Sequence, residues 1–342
     1  MGNIEEIRSV VDDILKDYNK CRDIDKMSVF HQPDKESVRE LTDKILRLIY
    51  PGYYRDRSHK LYHMDSNLTV HIEDVIYNLS KQVSLVLQYQ TGTDNPTLAD
   101  TSDKEMKKNQ DEDCGCSNGQ DSNFEGRAQS IAVDFCKRIP KIREYLDTDL
   151  QATLEGDPAA LNKDEIILSY PGLLATTIYR IAHELFLLNV PLIPRMMTEY
   201  AHSITGIDIN PGATIGKYFF MDHGTGIVVG STTIIGEHVK VYQGVTIGAL
   251  STSGGQSLRG IKRHPTIEDN VTIYSGASIL GGETVIGEGS VVGSNAFITK
   301  SIPAGTRVTI KNQELSFKSG NKNSSGFETM DLEQDKTWFY VI

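Results

Sequence analysis

INPGATIGKYFFMDHGTGIVVGSTTIIGEHVKVYQGVTIG, residues 209–248, decides the fold. An aliphatic residue or Met recurs in it every six positions, at Ile209, Ile215, Met221 and Ile227, and after a slip of two at Val229, Ile235, Val241 and Ile247. The pattern lapses for about twenty residues, returns at Ile267, Ile273 and Ile279, slips by one, and continues at Ile286, Val292 and Ile298. Gly216, Gly230, Gly236, Gly248, Gly287 and Gly293 each directly follow one of these aliphatics. A six-residue period suits neither an α-helix nor a flat strand; it suits a coil whose turns stack. The simplest geometry is a three-sided prism of short parallel strands, with the aliphatics of successive turns piled into one continuous core.

Outward from the coil the period becomes helical. Residues 4–18 put Ile4, Ile7, Val11, Ile14 and Tyr18 on one face, and residues 36–49 repeat the pattern with Val38, Leu41, Ile45 and Leu48 before Pro51-Gly52 stops it. Residues 68–89 do the same with Ile72, Val75, Ile76, Leu79, Val83 and Val86, so a helical head is expected over 1–90. The tract 91–126 holds nine acidic residues, three lysines and almost nothing to bury, the composition of an acidic, flexible insertion. Helical patterning resumes over 127–154, with a break or kink expected at Pro140. Two more helices, 172–188 and 192–203, carry the helical domain to 205. The coil is expected over 206–305 and a tail over 306–342, since the period disappears after Pro303. Residues 318–330 read as a linker, and the chain ends in Trp338, Phe339, Tyr340, Val341 and Ile342, side chains that normally pack or bind something.

At 342 residues, 39% hydrophobic and 24% charged, the composition is that of a soluble globular protein. A formal net charge of -11 argues against a nucleic-acid backbone as the main partner. No apolar run approaches the ~18 residues a membrane span needs, and Met1 to Tyr18 is acidic and amphipathic, so the chain reads as cytoplasmic. Cys21, Cys114, Cys116 and Cys136 are irregularly spaced and suggest neither a disulfide framework nor a metal cluster.

Inside such a coil every core position is aliphatic, which confines chemistry to corners and loops. Three places stand out: Met221-Asp222-His223-Gly224-Thr225-Gly226, where glycines let backbone approach a ligand; Asp208, fifteen residues before His223; and Lys262-Arg263-His264-Pro265, where the lapse ends. Histidine exchanges a proton near neutral pH, and a carboxylate on its far nitrogen fixes the tautomer, so His223 with an Asp at hand has the means to activate an alcohol. The plainer readings are a polar corner for His223, a loop histidine for His264 and a solvated charge for Arg263. The coil holds only His223, His238 and His264, without the spacing of a three-histidine zinc site, so no metal is expected. His183 reads as a helix-packing or surface histidine.

Taken together, Gly156-Asp157-Pro158-Ala159-Ala160, Tyr179-Arg180-Ile181-Ala182-His183, Asp208-Ile209-Asn210-Pro211, MDHGTGIVVG at 221–230, and SGG at 253–255 leading to RHP at 263–265 resemble the serine O-acetyltransferases. The resemblance covers roughly Leu154 to Pro303. It implies an α+β fold, an N-terminal all-helical domain followed by a left-handed parallel β-helix, the hexapeptide-repeat prism. It also implies acetyl transfer from acetyl-CoA to the hydroxyl of L-serine, the opening step of cysteine biosynthesis, with no metal. The family's catalytic His falls on His223, its carboxylate partner on Asp208 and its second active-site His on His264. Its substrate-binding residues fall on Asp157, Asp222 and Arg263. Contacts to acetyl-CoA are expected at Gly248, Ser275, Gly276, Ser294 and Lys300. A homotrimer with sites between subunits, or a dimer of trimers, follows from the same resemblance. The tail is similar to the family's C-terminal Ile, which enters O-acetylserine sulfhydrylase, and here that residue is Ile342.

The sequence also departs from the family. The link Gly248 to Lys262 before RHP is longer, Gly224 is the small residue after Asp-His, and Asn210 and Val291 stand where members carry His and Lys. The segment Thr306 to Gln313 replaces the usual G-x-P-A-R. Two other readings remain open on the residues: an acetyltransferase for another hydroxyl acceptor such as homoserine or a sugar, and a non-catalytic scaffold that presents its tail to a sulfhydrylase.

Overall fold

A computed structural model describes residues 2–18, 20, 22, 24, 33–54, 64–93 and 121–310. Cys21, Cys114, Cys116, most of the acidic tract, the 318–330 segment and the tail with Trp338 and Ile342 lie outside the described residues.

The helices come first: α1 (Gly2–Tyr18), α2 (Lys35–Ile49), α3 (Met64–Thr93), α4 (Asp121–Gly156), α5 (Lys163–Ser169), α6 (Pro171–Leu187) and α7 (Ile193–Thr205). α2 begins where the Asp34 carboxylate accepts the Ser37 amide at 2.8 Å, and it buries the stripe Val38, Leu41, Ile45 and Leu48. With α3, α4, α6 and α7 it encloses one core that includes Leu79, Phe135, Ile178 and Ile193. α1 differs from the amphipathic expectation: Ile7, Val11, Ile14 and Tyr18 are all exposed, so its apolar face stays outside that core. Helix reaches into the acidic tract at both ends, since α3 runs to Thr93 and α4 starts at Asp121.

Pro140 lies inside α4 and does not end it. An interior Pro costs ~3 kcal/mol, but Phe135, Ile142 and Leu146 around it are buried, and each such side chain returns ~1.5–3 kcal/mol. No described helix is long and apolar enough to cross a membrane.

The coil is built of β1 (Asp208–Ile209), β2 (Thr214–Ile215), β3 (Phe220–Asp222), β4 (Val228–Val229), β5 (Ile234–Ile235), β6 (Lys240–Tyr242) and β7 (Thr246–Gly248). It continues as β8 (Thr266–Ile267), β9 (Thr272–Ile273), β10 (Ser278–Leu280), β11 (Val285–Ile286), β12 (Val291–Val292), β13 (Phe297–Ile298) and β14 (Arg307–Val308). Three parallel sheets form its faces, in the orders β1-β4-β7-β10-β13, β2-β5-β8-β11 and β3-β6-β9-β12-β14. The fold is thus a helical domain followed by a left-handed parallel β-helix. The six-residue aliphatics face inward, and Ile227, Val241, Ile247, Ile273, Ile279, Ile286 and Val292 are fully shielded from solvent. The coil outlasts its period: Ile302 bridges Ile286 and β14 pairs with β12, so it ends at Val308 and not at 305.

Register turns the slips into geometry. From one strand to the next, equivalent positions usually advance by six, as from Asp208 to Thr214 to Phe220. From Phe220 to Val228 the step is eight, and from Thr246 to Thr266 it is twenty. The first long step contains His223 and Gly224. The second contains the loop that leads into Arg263-His264.

Helical domain and coil meet at a buried ion pair. Arg180 of α6 donates from Nε and Nη2 to the two carboxylate oxygens of Asp149 on α4, at 2.5 and 2.8 Å, and reaches the carbonyls of Ile215 and Gly216 in the first turn of the coil. Asp149 also accepts the Phe219 amide at 2.9 Å. His183 lies one helical turn on from Tyr179, with its Nδ1 2.8 Å from the Pro211 carbonyl. Because a carbonyl only accepts, Nδ1 carries the proton, and His183 is a packing residue of this junction.

Candidate active site

The corner joining the third sheet to the first carries His223. Two residues more than a regular turn must fit between β3 and β4, and the chain takes them up in a left-handed bend, with φ of 55° at His223 and 82° at Gly224. A side chain at Gly224 would strike Ile207, its Cβ 2.4 Å from that residue's Cδ1, so only glycine fits beneath the bend. The extra length lifts His223 off the coil, leaving its side chain about half exposed, with Nδ1 3.6 Å from Oδ1 of Asp222.

A second carboxylate is delivered to the same corner from the helical domain. α4 ends at Gly156, whose missing side chain lets the helix close on the Phe220 ring of β3. Asp157 follows, its Oδ1 accepting the Ala159 amide at 2.8 Å and its Oδ2 the Tyr170 hydroxyl at 2.6 Å. This bond to a carboxylate pushes the Tyr170 phenol up to about 12. Asp222 is raised above the ordinary carboxylate range by burial and by the negative charge of Asp157, with His223 working in the opposite direction. Two acids in a half-buried corner, one disfavouring ionisation of the other, make a receptor for a cation. Above Asp222 the rings of Tyr242 and Tyr274 stack at 5.0 Å on successive turns.

Asp208, which the resemblance pairs with His223, meets Arg195 through one of its oxygens within the chain. It opens β1 in register with Val228, five positions past the histidine, and its Oδ1 lies 3.4 Å from Arg195 of α7. Arg195 also pairs with Glu199, which His202 approaches at 3.4 Å. Among the described residues the carboxylate paired with His223 is that of Asp222.

The corner joining the first sheet to the second carries His264, which is buried. Gly230, at the end of β4, makes room for it: a Cβ there would lie 2.0 Å from His264 Cδ2 and 2.2 Å from Nε2. Thr232 organises this corner. Its Oγ1 takes the amides of Arg263 and His264 at 3.0 and 3.1 Å, its own amide lies 3.1 Å from His264 Nδ1, and its carbonyl accepts Lys262 Nζ at 2.7 Å. Arg263 is fixed through Nη1 to the Leu258 carbonyl and through Nη2 to Ser231 Oγ, which leaves its remaining N–H groups for an anion. Burial, with Arg263 and Lys262 alongside, pushes the His264 imidazole down to about 4.

His223 and His264 therefore occupy opposite edges of one face. About six residues of extended chain separate the corners, roughly 20 Å at 3.3 Å per residue, so one chain does not bring the two histidines together. The residues expected to meet acetyl-CoA divide in the same way. Ser275, Gly276 and Ser294 stack along the His223 edge, Gly276 above Gly244 and Ser275 Oγ 3.4 Å from Ser294 Oγ. Gly248 and the exposed Lys300 lie toward the His264 edge, beyond the first sheet's strands. Thr232, Ser231 and Tyr170 were not singled out in the sequence. Ser231 is marked only as a small residue four positions after a coil aliphatic, Thr232 follows it, and Tyr170 directly precedes Pro171.

No family model matches the chain. A plasmid-encoded serine acetyltransferase of Synechococcus elongatus is 46% identical over 202 residues, 58% of this chain and 62% of that protein. The serine acetyltransferase of Helicobacter pylori is 46% identical over 122 residues, 36% of this chain and 68% of that protein. The chain spans about half to three fifths of the length of the first curated relatives it matches. Among solved structures, Entamoeba histolytica serine acetyltransferase 1 in complex with L-cysteine superposes with a TM-score of 0.63 at 31% identity, over 82% of this chain and 87% of that one. Isoform 3 from the same organism, in complex with cysteine, gives 0.64 at 29% identity, over 82% and 83%. With a helical domain leading into a β-helix, histidines and acids at its irregular corners, and these relatives, the chain belongs to the serine acetyltransferase family.

Proposed function

We propose that the chain transfers the acetyl group of acetyl-CoA to the hydroxyl of L-serine, giving O-acetylserine for cysteine biosynthesis. The observation that carries the reading is the two-residue expansion that lifts His223 off the coil beside Asp157 and Asp222. Serine's ammonium suits the paired carboxylates, and its carboxylate suits the open N–H groups of Arg263. His223 takes the hydroxyl proton as the serine oxygen attacks the thioester carbon. The C–O bond forms, the C–S bond breaks, and His223 returns the proton to the leaving CoA thiolate. His264 meets the oxygen of the tetrahedral intermediate. In this scheme Asp208 supports His223 through the carboxylate oxygen that Arg195 does not take.

Because the two histidines lie on opposite edges of one face, the complete site forms between copies, His223 of one meeting His264 of the next. A closed trimer satisfies this for every copy, and the helical domains are surfaces by which two trimers join. Acetyl-CoA is expected in the same cleft, along Ser275, Gly276 and Ser294 on one side and Gly248 and Lys300 on the other. Ile342 is proposed as the anchor for an O-acetylserine sulfhydrylase, its carboxylate and side chain filling that enzyme's site.

An acceptor screen read by free CoA tests the reaction. Serine is expected to release CoA, homoserine and sugars to release little, and His223→Ala to lose at least about a hundredfold. Near-normal turnover in His223→Ala would sink the mechanism, and CoA release with a sugar alone would replace the acceptor.

A further inference from the structure

We infer that Thr232 is a positioning residue that locks His264 in the neutral tautomer bearing its proton on Nε2, so that His264 acts as a fixed hydrogen-bond donor and never as a base. Its consequence for the reaction rests on the acetyl-transfer reading; the tautomer itself rests on the hydrogen bonds alone.

A threonine hydroxyl has two lone pairs and one proton. Both lone pairs of Thr232 Oγ1 are taken, by the amides of Arg263 and His264 at 3.0 and 3.1 Å. The hydroxyl is left only to donate, and His264 Nδ1 stands 2.8 Å away. The Thr232 amide, which has no choice but to donate, points at the same nitrogen from 3.1 Å. A nitrogen facing two donors carries no proton, so the imidazole proton sits on Nε2, on the ring edge that packs over Gly230.

Protonating His264 would set an N–H against both donors. Among the described residues the charged groups beside the ring are Arg263 and Lys262, both cationic, while the facing corner contributes Gly230, Ser231, Thr232 and Thr233. Lys262 itself is tied to the carbonyls of Thr232 and Pro265, so the segment 262–265 is wrapped around Thr232. Among the described residues no anionic group stands beside the ring to stabilise an imidazolium. His264 can therefore present Nε2–H to a developing oxyanion or to the acceptor without a competing protonation step across the neutral range.

The test is nitrogen-15 magnetic resonance of the sedimented full-length protein labelled at histidine, with His264 assigned by its loss in His264→Asn. A bare Nδ1 and a protonated Nε2, unchanged between pH 5.5 and 8, are expected for the wild type. Thr232→Val keeps the backbone amide on Nδ1 but removes the hydroxyl donor, so Nδ1 should gain a proton as pH falls toward 5.5, with a fall in kcat/KM for serine of about ten- to a hundredfold and a new acidic limb in the rate profile. Thr232→Ser should restore all three. A wild-type Nδ1–H signal, or titration of His264 near pH 6.5, overturns the inference; so does a Thr232→Val protein with wild-type tautomer and pH profile. Should Thr232→Val fail to fold, the wild-type spectrum and Thr232→Ser decide. If serine proves not to be the acceptor, the spectra still stand, so loss of that reading and loss of this one are told apart.

Discussion

Tyr170 donates its hydroxyl proton to Asp157 at 2.6 Å, and by that bond the residue preceding α6 holds the residue following α4 at the His223 corner. Asp157 comes from the helical domain and Asp222 from the coil, so the spacing of this acidic pair depends on how the two parts dock.

Removing the hydroxyl tests that dependence. Tyr170→Phe keeps the ring but frees one Asp157 oxygen, and a hydrogen bond to a charged group is worth ~1.5–3 kcal/mol. The expected result is a KM for serine raised about tenfold with kcat nearly unchanged, because in the proposed reaction Asp157 meets the ground-state ammonium and not the reacting atoms. Initial rates against serine at saturating acetyl-CoA check it. An unchanged KM would mean that Asp157 holds its place through the Ala159 amide alone.

The other corner is sensitive to a single methyl group. In Gly230→Ala the new Cβ would sit 2.0 Å from His264 Cδ2, and the ring, not the coil backbone, has to give way. Activity is expected to fall about a hundredfold while circular dichroism and the thermal midpoint stay close to wild type. A variant with full activity would show that the ring has room to spare.

What the sequence disclosed follows from which contacts are periodic. The inward aliphatics recur on a fixed step, so the prism and its lapses were legible, and the lapses fall where His223 and His264 sit. The end of the coil was not, because β14 pairs through Arg307 and Val308 after the spacing has already changed. α5 was passed over although Asn162 and Glu165 form a reciprocal cap, Asn162 Oδ1 accepting the Glu165 amide and Glu165 Oε2 the Leu161 amide. Thr232 meets His264 across 32 positions and Tyr170 meets Asp157 across 13, pairings that only the docked fold creates. Asp208 is instructive in the opposite sense. Spacing left its distance from His223 open and the family resemblance paired the two, while within the chain its Oδ1 lies 3.4 Å from Arg195, a neighbour supplied by the preceding helix.

Stability should depend on acid through Glu184. Burial alone would raise its carboxyl, but hydrogen bonds from Lys141 at 2.8 Å and Arg138 at 2.7 Å prevail and hold it below its usual value of 4.5. A folded-state pKa below the unfolded one gives stability that is present above pH 4.5 and lost as pH falls through the lowered value. Glu184→Gln should therefore melt earlier than wild type at pH 7, and the gap should close as pH falls from 4.5 through the lowered value. Thermal midpoints at pH 7, 5.5, 4 and 3 measure it. A gap that stays constant with pH would assign the loss to packing instead.

The Asp149–Arg180 pair should behave as a latch whose members are costly only when separated. Both side chains are almost wholly buried, at 1% and 6% exposure. Asp149→Ala strands a guanidinium in the core and removes the acceptor for the Phe219 amide, which for a broken buried pair costs ~3–5 kcal/mol. Replacing both, as Asp149→Leu with Arg180→Met, removes the charges together and leaves the lost bonds to the Phe219 amide and to the Ile215 and Gly216 carbonyls. Denaturant unfolding of the two single variants and the double is expected to place the double above either single by about 1.5 kcal/mol or more. If the double proves as unstable as the sum of the singles, the two residues are not coupled, and the junction is held by the apolar contacts around Tyr179 and Phe219 instead.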